Sequence, residues 1–219
     1  VMTAAVSCVE EQGKDLGMPV PMTFVGHSDE SASPSTKTSL NATFNILWDK
    51  DDYITVFAGD GKGVTFSDVT VDESGTVATF KGDIPLADNY HALYPAQEDA
   101  MYDSETESVT AVLSSVQGAV EGSFGDNVNL SVAKSSSEHL KFLNVGAIVG
   151  VQCPSAYSPS SIMLVSRDPE VKMSGKATIS YNDGNPVAVP AEDAASYVEF
   201  KGGFNASSYR KIFYFVVYP

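Results

Sequence analysis

Apolar residues along this chain fall in short runs separated by turn-forming residues, and the longest run is Leu140 to Cys153, LKFLNVGAIVGVQC. Its single charge is Lys141. Read with period 2, Leu140, Phe142, Ile148 and Gly150 share one face, while Leu143, Val145, Ala147, Val149 and Val151 share the other. Both faces are largely apolar, which predicts a strand covered on both sides with the other elements arranged around it. A helix is the competing reading, opposed by Gly146, Gly150, the Val, Ile and Phe content and the stop at Pro154. The run is too short for a bilayer, which takes about 20 apolar residues.

Shorter strand signals fill the rest of the chain. PMTFVG (21–26) opens them, a Ser-rich loop with Pro34 follows, and Phe44, Ile46 and Trp48 then alternate with Asn45 and Leu47. YITVFA (53–58) is rich in β-branched and aromatic residues and leads into the turn Gly59-Asp60-Gly61-Lys62-Gly63. GVTFSDVTV, TVATFKG, YHALYPA and SVTAVL continue the series, and NVNLSVA (127–133) predicts Val128, Leu130 and Val132 on a buried side. Beyond Pro154 come SSIMLVS, KATISYN, PVAVP, SYVEFKG and RKIFYFVVYP, with Asn182-Asp183-Gly184-Asn185 as a hairpin turn. Only residues 99–116 leave room for a helical turn or two. The spacings predict an all-β chain built as an antiparallel β-sandwich.

Beyond Pro154, the tract Ser155 to Ser161, rich in Ser and Pro, is the clearest linker-like break. The expected division is therefore a tether over 1–19, an N-terminal β-sandwich over 20–153, and a second, short or incomplete β region over 154–219. Residues 9–17 lack periodic apolar positions and carry Gly13 and Gly17, as a flexible tether does. Order is expected from about Pro19.

Charge narrows the partners. Lys plus Arg total 13 against 28 Asp plus Glu, giving a net charge of -15, so nucleic acid phosphates and anionic membrane surfaces are repelled. The two cysteines, Cys8 and Cys153, have neither metal nor CxxC spacing, and a disulfide between them is neither required nor opposed. Ala5-Val6-Ser7-Cys8 has the small and aliphatic residues that precede the cysteine of a lipoprotein cleavage site, and VMTAAVS reads as the tail of an apolar leader. Cys8 is accordingly the expected lipidation site. Cys153 would then be a buried, unpaired thiol.

No catalytic constellation stands out. His27, His91 and His139 lie in different segments without ligand spacing, so no zinc site, other metal centre or cofactor is expected. Gly26-His27-Ser28-Asp29-Glu30 lacks the closing glycine of a nucleophile elbow, and the Gly59 to Gly63 turn lacks the Ser or Thr and the helix of a phosphate loop. Asp49, Asp51 and Asp52, and Glu98, Asp99, Asp103, Glu105 and Glu107, form acidic loops without the Ca²⁺ pattern. Glycosidase carboxylates can come from distant strands, which keeps an enzyme as a third reading. Trp48, Tyr53, Tyr90, Tyr94 and Tyr102 offer either a sugar-stacking platform or ordinary sandwich packing.

Three segments, in order, resemble the fimbrillin family, whose members build or tip the surface fimbriae of Bacteroidales. The first is Thr36-Lys37-Thr38-Ser39-Leu40 followed by Trp48 and Asp52-Tyr53-Ile54-Thr55-Val56-Phe57; the second is Tyr90-His91-Ala92-Leu93-Tyr94-Pro95. The third is Leu140-Lys141-Phe142-Leu143-Asn144-Val145 with its apolar continuation, and the strand ending at Tyr218-Pro219 resembles the family's closing region. The resemblance implies a lipoprotein precursor at the outer membrane and cell surface, two transthyretin-like β-sandwich domains, and no enzymatic activity. It also implies assembly into fimbriae with other subunits, by donation of a strand into a neighbour's groove. Family members usually continue past such a closing strand, so either the second domain is abbreviated or the chain is a fragment. Ile212, Phe213, Tyr214, Phe215, Val216 and Val217 are the expected assembly strand if they lie at an edge, and an internal strand otherwise. The alternative function is a glycan-binding surface lipoprotein. Either would touch the membrane only through its lipid anchor, and a fimbrial subunit could also meet host or bacterial surface ligands.

Overall fold

The computed structural model describes residues 17–27, 39–40, 46–153 and 159–219. They form an all-β protein of several mainly antiparallel sheets, with one 3-10 turn at Ala206–Ser208. Cys8 and residues 1–16 of the expected 1–19 tether lie outside the described residues, as do Thr36 to Thr38 and most of the expected linker.

The fold is built around a central sheet in the order Leu143–Asn144, Ser131–Ser135, Tyr90–Tyr94, Ile54–Phe57, Val64–Phe66. Every residue of Ile54–Phe57 and of Tyr90–Tyr94 is buried, because the two faces of these strands serve different cores. Ile54, Val56, Tyr90, Ala92 and Tyr94 meet Phe24, Ala78, Phe80 and Leu140 of the N-terminal sheet. That sheet runs His139–Lys141, Pro19–His27, Val77–Pro85, Asp68–Val71. The alternate positions Phe57 and Leu93 instead pack against Tyr102, Val109, Ala111, Ala177 and Ile179. These belong to an outer sheet ordered Asn185–Pro190, Gly175–Asn182, Ser108–Leu113, Met101–Asp103, Gly61–Lys62. Period-2 alternation thus feeds two cores from one strand.

The run Leu140 to Cys153 behaves differently from its expected role as a single doubly covered strand. It is divided among three sheets: His139–Lys141 pairs in parallel with Pro19–His27, Leu143–Asn144 pairs with Ser131–Ser135, and Ala147–Gln152 pairs with Ile212–Val217. Leu140 and Phe142 enter the first core, Val145 the second, and Cys153 a third that also holds Val198, Phe200, Phe213, Phe215 and Val217. Its apolar character on both faces comes from serving these cores in succession. Gly146 permits the last crossing, since a Cβ there would lie 2.7 Å from Val216 Cγ1.

Three pairings cross the boundary expected at residues 153 and 154. Ser108–Leu113 pairs with Gly175–Asn182, Val116–Val120 with Tyr197–Lys201, and Ala147–Gln152 with Ile212–Val217. The second β region is therefore completed by strands that precede residue 154, and the core residues Val109 and Ile179 are shared across it. The helical turns allowed in 99–116 are strands and tight turns instead, because Tyr102, Val109, Ala111 and Leu113 alternate inward. Val128, Leu130 and Val132 are buried as expected, and Asn182 to Asn185 closes a hairpin with Asp183 and Gly184 at φ 49° and 79°.

The C-terminal strand Ile212–Val217 belongs to the core. Phe213, Phe215, Val216 and Val217 are buried, and Phe215 stacks on Phe200 with centroids 3.6 Å apart. One edge pairs with Ala147–Gln152. On the other, the buried Gln117 side chain donates to Val216 O at 2.7 Å and accepts from Val216 N–H at 3.0 Å, while Gly122 N–H bonds Ile212 O at 2.8 Å. A side-chain amide there takes the place of a neighbouring strand's peptide. The strand thus contributes to the core through its side chains, while within its sheet it pairs, among the described residues, with Ala147–Gln152 alone.

Candidate functional site

A groove of about 590 Å³ opens where the turn before Ile54–Phe57 meets the loop after Tyr90–Tyr94. The turn that presents Asp51 and Tyr53 to it is locked by a buried carboxylate. Asp52, 2% exposed, accepts from the Tyr94 hydroxyl at 2.7 Å and from Asp49 N–H at 2.6 Å, closing the Asp49 to Asp52 turn. Trp48 packs edge-on against Phe80, Tyr94 and Phe142 in the core they share. The peptide Tyr94–Pro95 is cis, and Ala96 N–H returns to Tyr53 O at 2.9 Å.

The opposite wall is fixed by Gln97, whose side chain donates to Val112 O and accepts from Val112 N–H, both at 2.8 Å. Its own N–H bonds Thr55 Oγ1 at 3.0 Å. The backbone around the groove is thus held by short hydrogen bonds, two of them made by the side chain of the lining residue Gln97. Asp51, Tyr53, Glu98, Asp99, Val112 and Asn127 project into it. Tyr53 is 40% exposed and offers a ring face; the carboxylates and the amide offer acceptors and a donor. Such a set suits a polyhydroxylated ligand, with the ring stacked on a sugar and the acids accepting from hydroxyls.

Of the aromatic residues singled out in the sequence, Trp48, Tyr90, Tyr94 and Tyr102 are buried, leaving Tyr53 as the accessible one of the five. The acidic stretch divides. Glu98 and Asp99 line the groove, whereas Asp103 and Glu107 shape a turn away from it, where Glu107 at φ 47° bonds Lys134 at 2.8 Å. That bond holds the Glu107 carboxyl below the usual carboxylate range. Beside it lies His91, 3% exposed and stacked on Tyr102 at 4.1 Å. Burial, reinforced by Lys134, pushes the His91 imidazole down to about 4, so it is neutral at pH 7.

The other two histidines, which no sequence spacing connects, are adjacent in space. His27 Nε2 and His139 Nδ1 lie 3.3 Å apart on neighbouring strands. No sequence signal of local kind could have found this, since parallel pairing joins positions separated by 112 residues. Among the described residues no group of three or more His, Cys, Asp or Glu side chains is placed to hold a metal ion. Among the same residues no helix is long and apolar enough to cross a membrane. Compared with known proteins, the chain matches no family model, no curated protein and no solved structure.

Proposed function

We propose that this chain is a structural or adhesive subunit of cell-surface fimbriae, anchored at the outer membrane through a lipid on Cys8 and assembled with other subunits by strand donation. The observation that carries the reading is the ordered set of fimbrillin-like segments. Their described parts also form one physical unit: Trp48, Tyr94, Leu140 and Phe142 share a core, with Asp52 bonded to Tyr94 inside it. Beside the expected assembly strand Ile212–Val217, whose outer edge is partly closed by Gln117 and Gly122, a second strand open to a neighbour is Ser161–Val165. Among the described residues it pairs only with Tyr197–Lys201, it carries no charge, and Met163 and Val165 are exposed on it. The transthyretin-like topology implied by the family belongs to the same proposal.

Electron microscopy of the processed surface protein tests this: filaments are expected from the native chain and not from Met163→Pro, which removes a backbone donor from the unpaired side of that edge strand, since in the register with Tyr197–Lys201 it is Leu164 and Ser166 that donate inward. A native chain that stays monomeric after acylation and processing overturns it. The groove beside Tyr53 favours a second reading, a glycan-binding surface lipoprotein. Glycan-array binding abolished by Tyr53→Ala, with no filaments under any processing condition, would establish that reading instead.

A further inference from the structure

Two imidazoles on adjacent strands need not be a metal site, but their separation here is a chelating one. We propose that His27 and His139 together bind a divalent transition cation, with Zn²⁺ as the ion to test. Two nitrogens each about 2.0–2.1 Å from a tetrahedral ion lie about 3.3–3.4 Å from one another. His27 Nε2 and His139 Nδ1 are 3.3 Å apart, with the rings within 23° of parallel and their centroids 5.6 Å apart. Chelation requires each ring to turn so that both nitrogen lone pairs point at one ion.

The two strands that carry these histidines are packed on the core. Val25 lies opposite His139 and His27 opposite Lys141 in the parallel register, and the intervening Gly26 and Leu140 are buried. A Cβ on Gly26 would meet Phe80 at 2.9 Å and Trp48 at 3.2 Å, so this strand sits hard against the aromatic core. Ring positions are therefore set by two strands rather than by loops, which lowers the ordering a cation must impose. His139 is exposed and His27 half-buried, leaving room for water to complete the coordination. The net charge of -15 draws cations to the surface, while the nearby Lys141 opposes them locally. Neutral imidazole is the required form of both ligands.

The test uses the full chain without a histidine tag. Titration with Zn²⁺ at neutral pH, followed by calorimetry and by imidazole ¹H–¹⁵N spectra, should show one ion per chain, with the His27 and His139 resonances shifted and the buried His91 resonance unmoved. His27→Asn and His139→Asn should each weaken binding about tenfold or more, because a single imidazole does not chelate. Both side chains are on the outward face, so each variant should keep its metal-free melting temperature. Zn²⁺ should raise the melting temperature of the native chain and not of either variant. Cys8→Ser should bind like the native chain. The proposal fails if the double variant keeps its affinity, if Cys8→Ser loses it, or if the native chain needs millimolar Zn²⁺.

Discussion

Two pairs of strands in this molecule have similar apolar composition and opposite surroundings. Ile54–Phe57 and Tyr90–Tyr94 lie in a sheet covered on both faces, and all their residues are buried. Ala147–Gln152 and Ile212–Val217 form a two-stranded ribbon packed on Val198 and Phe200, and Ala147–Gln152 is half-buried or exposed along its whole length. Composition does not separate them. What differs is how their backbones are completed: the first pair has strands on both sides, whereas the ribbon relies on Gln117 and Gly122 for part of its outer edge. An apolar strand need not be central, and a strand near a chain end need not be peripheral.

The comparison breaks most clearly at Phe215. It is 0% exposed and stacked on Phe200, so Phe215→Ala should cost about 3–5 kcal/mol in denaturant unfolding, as large aromatic truncations in packed cores do. Val149→Ala, directly opposite in register but half-buried, should cost about 1 kcal/mol. Equal small losses at both positions would mean that the ribbon is loosely attached and that Ile212–Val217 is available for assembly.

Gln117→Met asks whether one amide holds the ribbon's outer edge. The replacement preserves volume but leaves Val216 N–H and C=O without their partner in a buried site, at an expected cost of about 2–4 kcal/mol. Hydrogen exchange should show the Val216 amide losing protection while the Leu93 amide keeps it. Uniform loss across both would point to a general packing defect instead.

The strands themselves were legible, but their layering was not. Alternation in residues 127–133, turn chemistry at Asp183-Gly184 and the β-branched run 53–58 each have a local cause, so sequence pattern alone finds them. The Leu140 to Cys153 run misleads because a continuous apolar pattern records contact with apolar neighbours and not which neighbours; Asn144 and Gly146 are the only local hints that the chain changes sheet there. Of the groove, Tyr53, Glu98 and Asp99 were visible as residue types, whereas Asp52 as a buried turn lock and Gln97 as a wall depend on contacts to Tyr94 and Val112. Long-range pairing also hid Gln117 and the His27 and His139 contact.

Acid should act on the central pair before the ribbon. His91 sits on Tyr90–Tyr94 with its imidazole pushed down to about 4, against an ordinary value near 6.5. The unfolded chain therefore binds a proton that the folded chain refuses between these values. Stability from this residue is complete above pH 6.5 and is lost as pH falls toward 4, amounting to about 2 kcal/mol by pH 5. His91→Leu should flatten that part of the stability profile measured by urea unfolding between pH 7 and 5. An unchanged slope would show that another group carries the acid response.

The smallest expected effect separates two hydroxyls at the ends of the same core. Tyr218, which follows the ribbon, accepts from Leu113 N–H at 3.2 Å and donates to Gly175 O at 2.9 Å. Tyr181, on the outer sheet, has a buried hydroxyl with no partner among the described residues. Burial raises both phenols, Tyr218 to about 12, so above pH 10 the unfolded chain releases protons that the fold retains and stability falls with rising pH. Tyr181→Phe keeps the ring packing and removes an unsatisfied group, so it should be neutral or stabilising by up to about 1 kcal/mol at pH 7. It should also lessen the alkaline loss. Tyr218→Phe should instead destabilise, by about 1–3 kcal/mol, because two backbone groups lose their partner. Thermal melts of the two variants at pH 7 and pH 11 decide the matter: a clear loss in Tyr181→Phe at pH 7 would mean that its hydroxyl is bonded, and that the outer sheet is completed there as fully as the ribbon is at Tyr218.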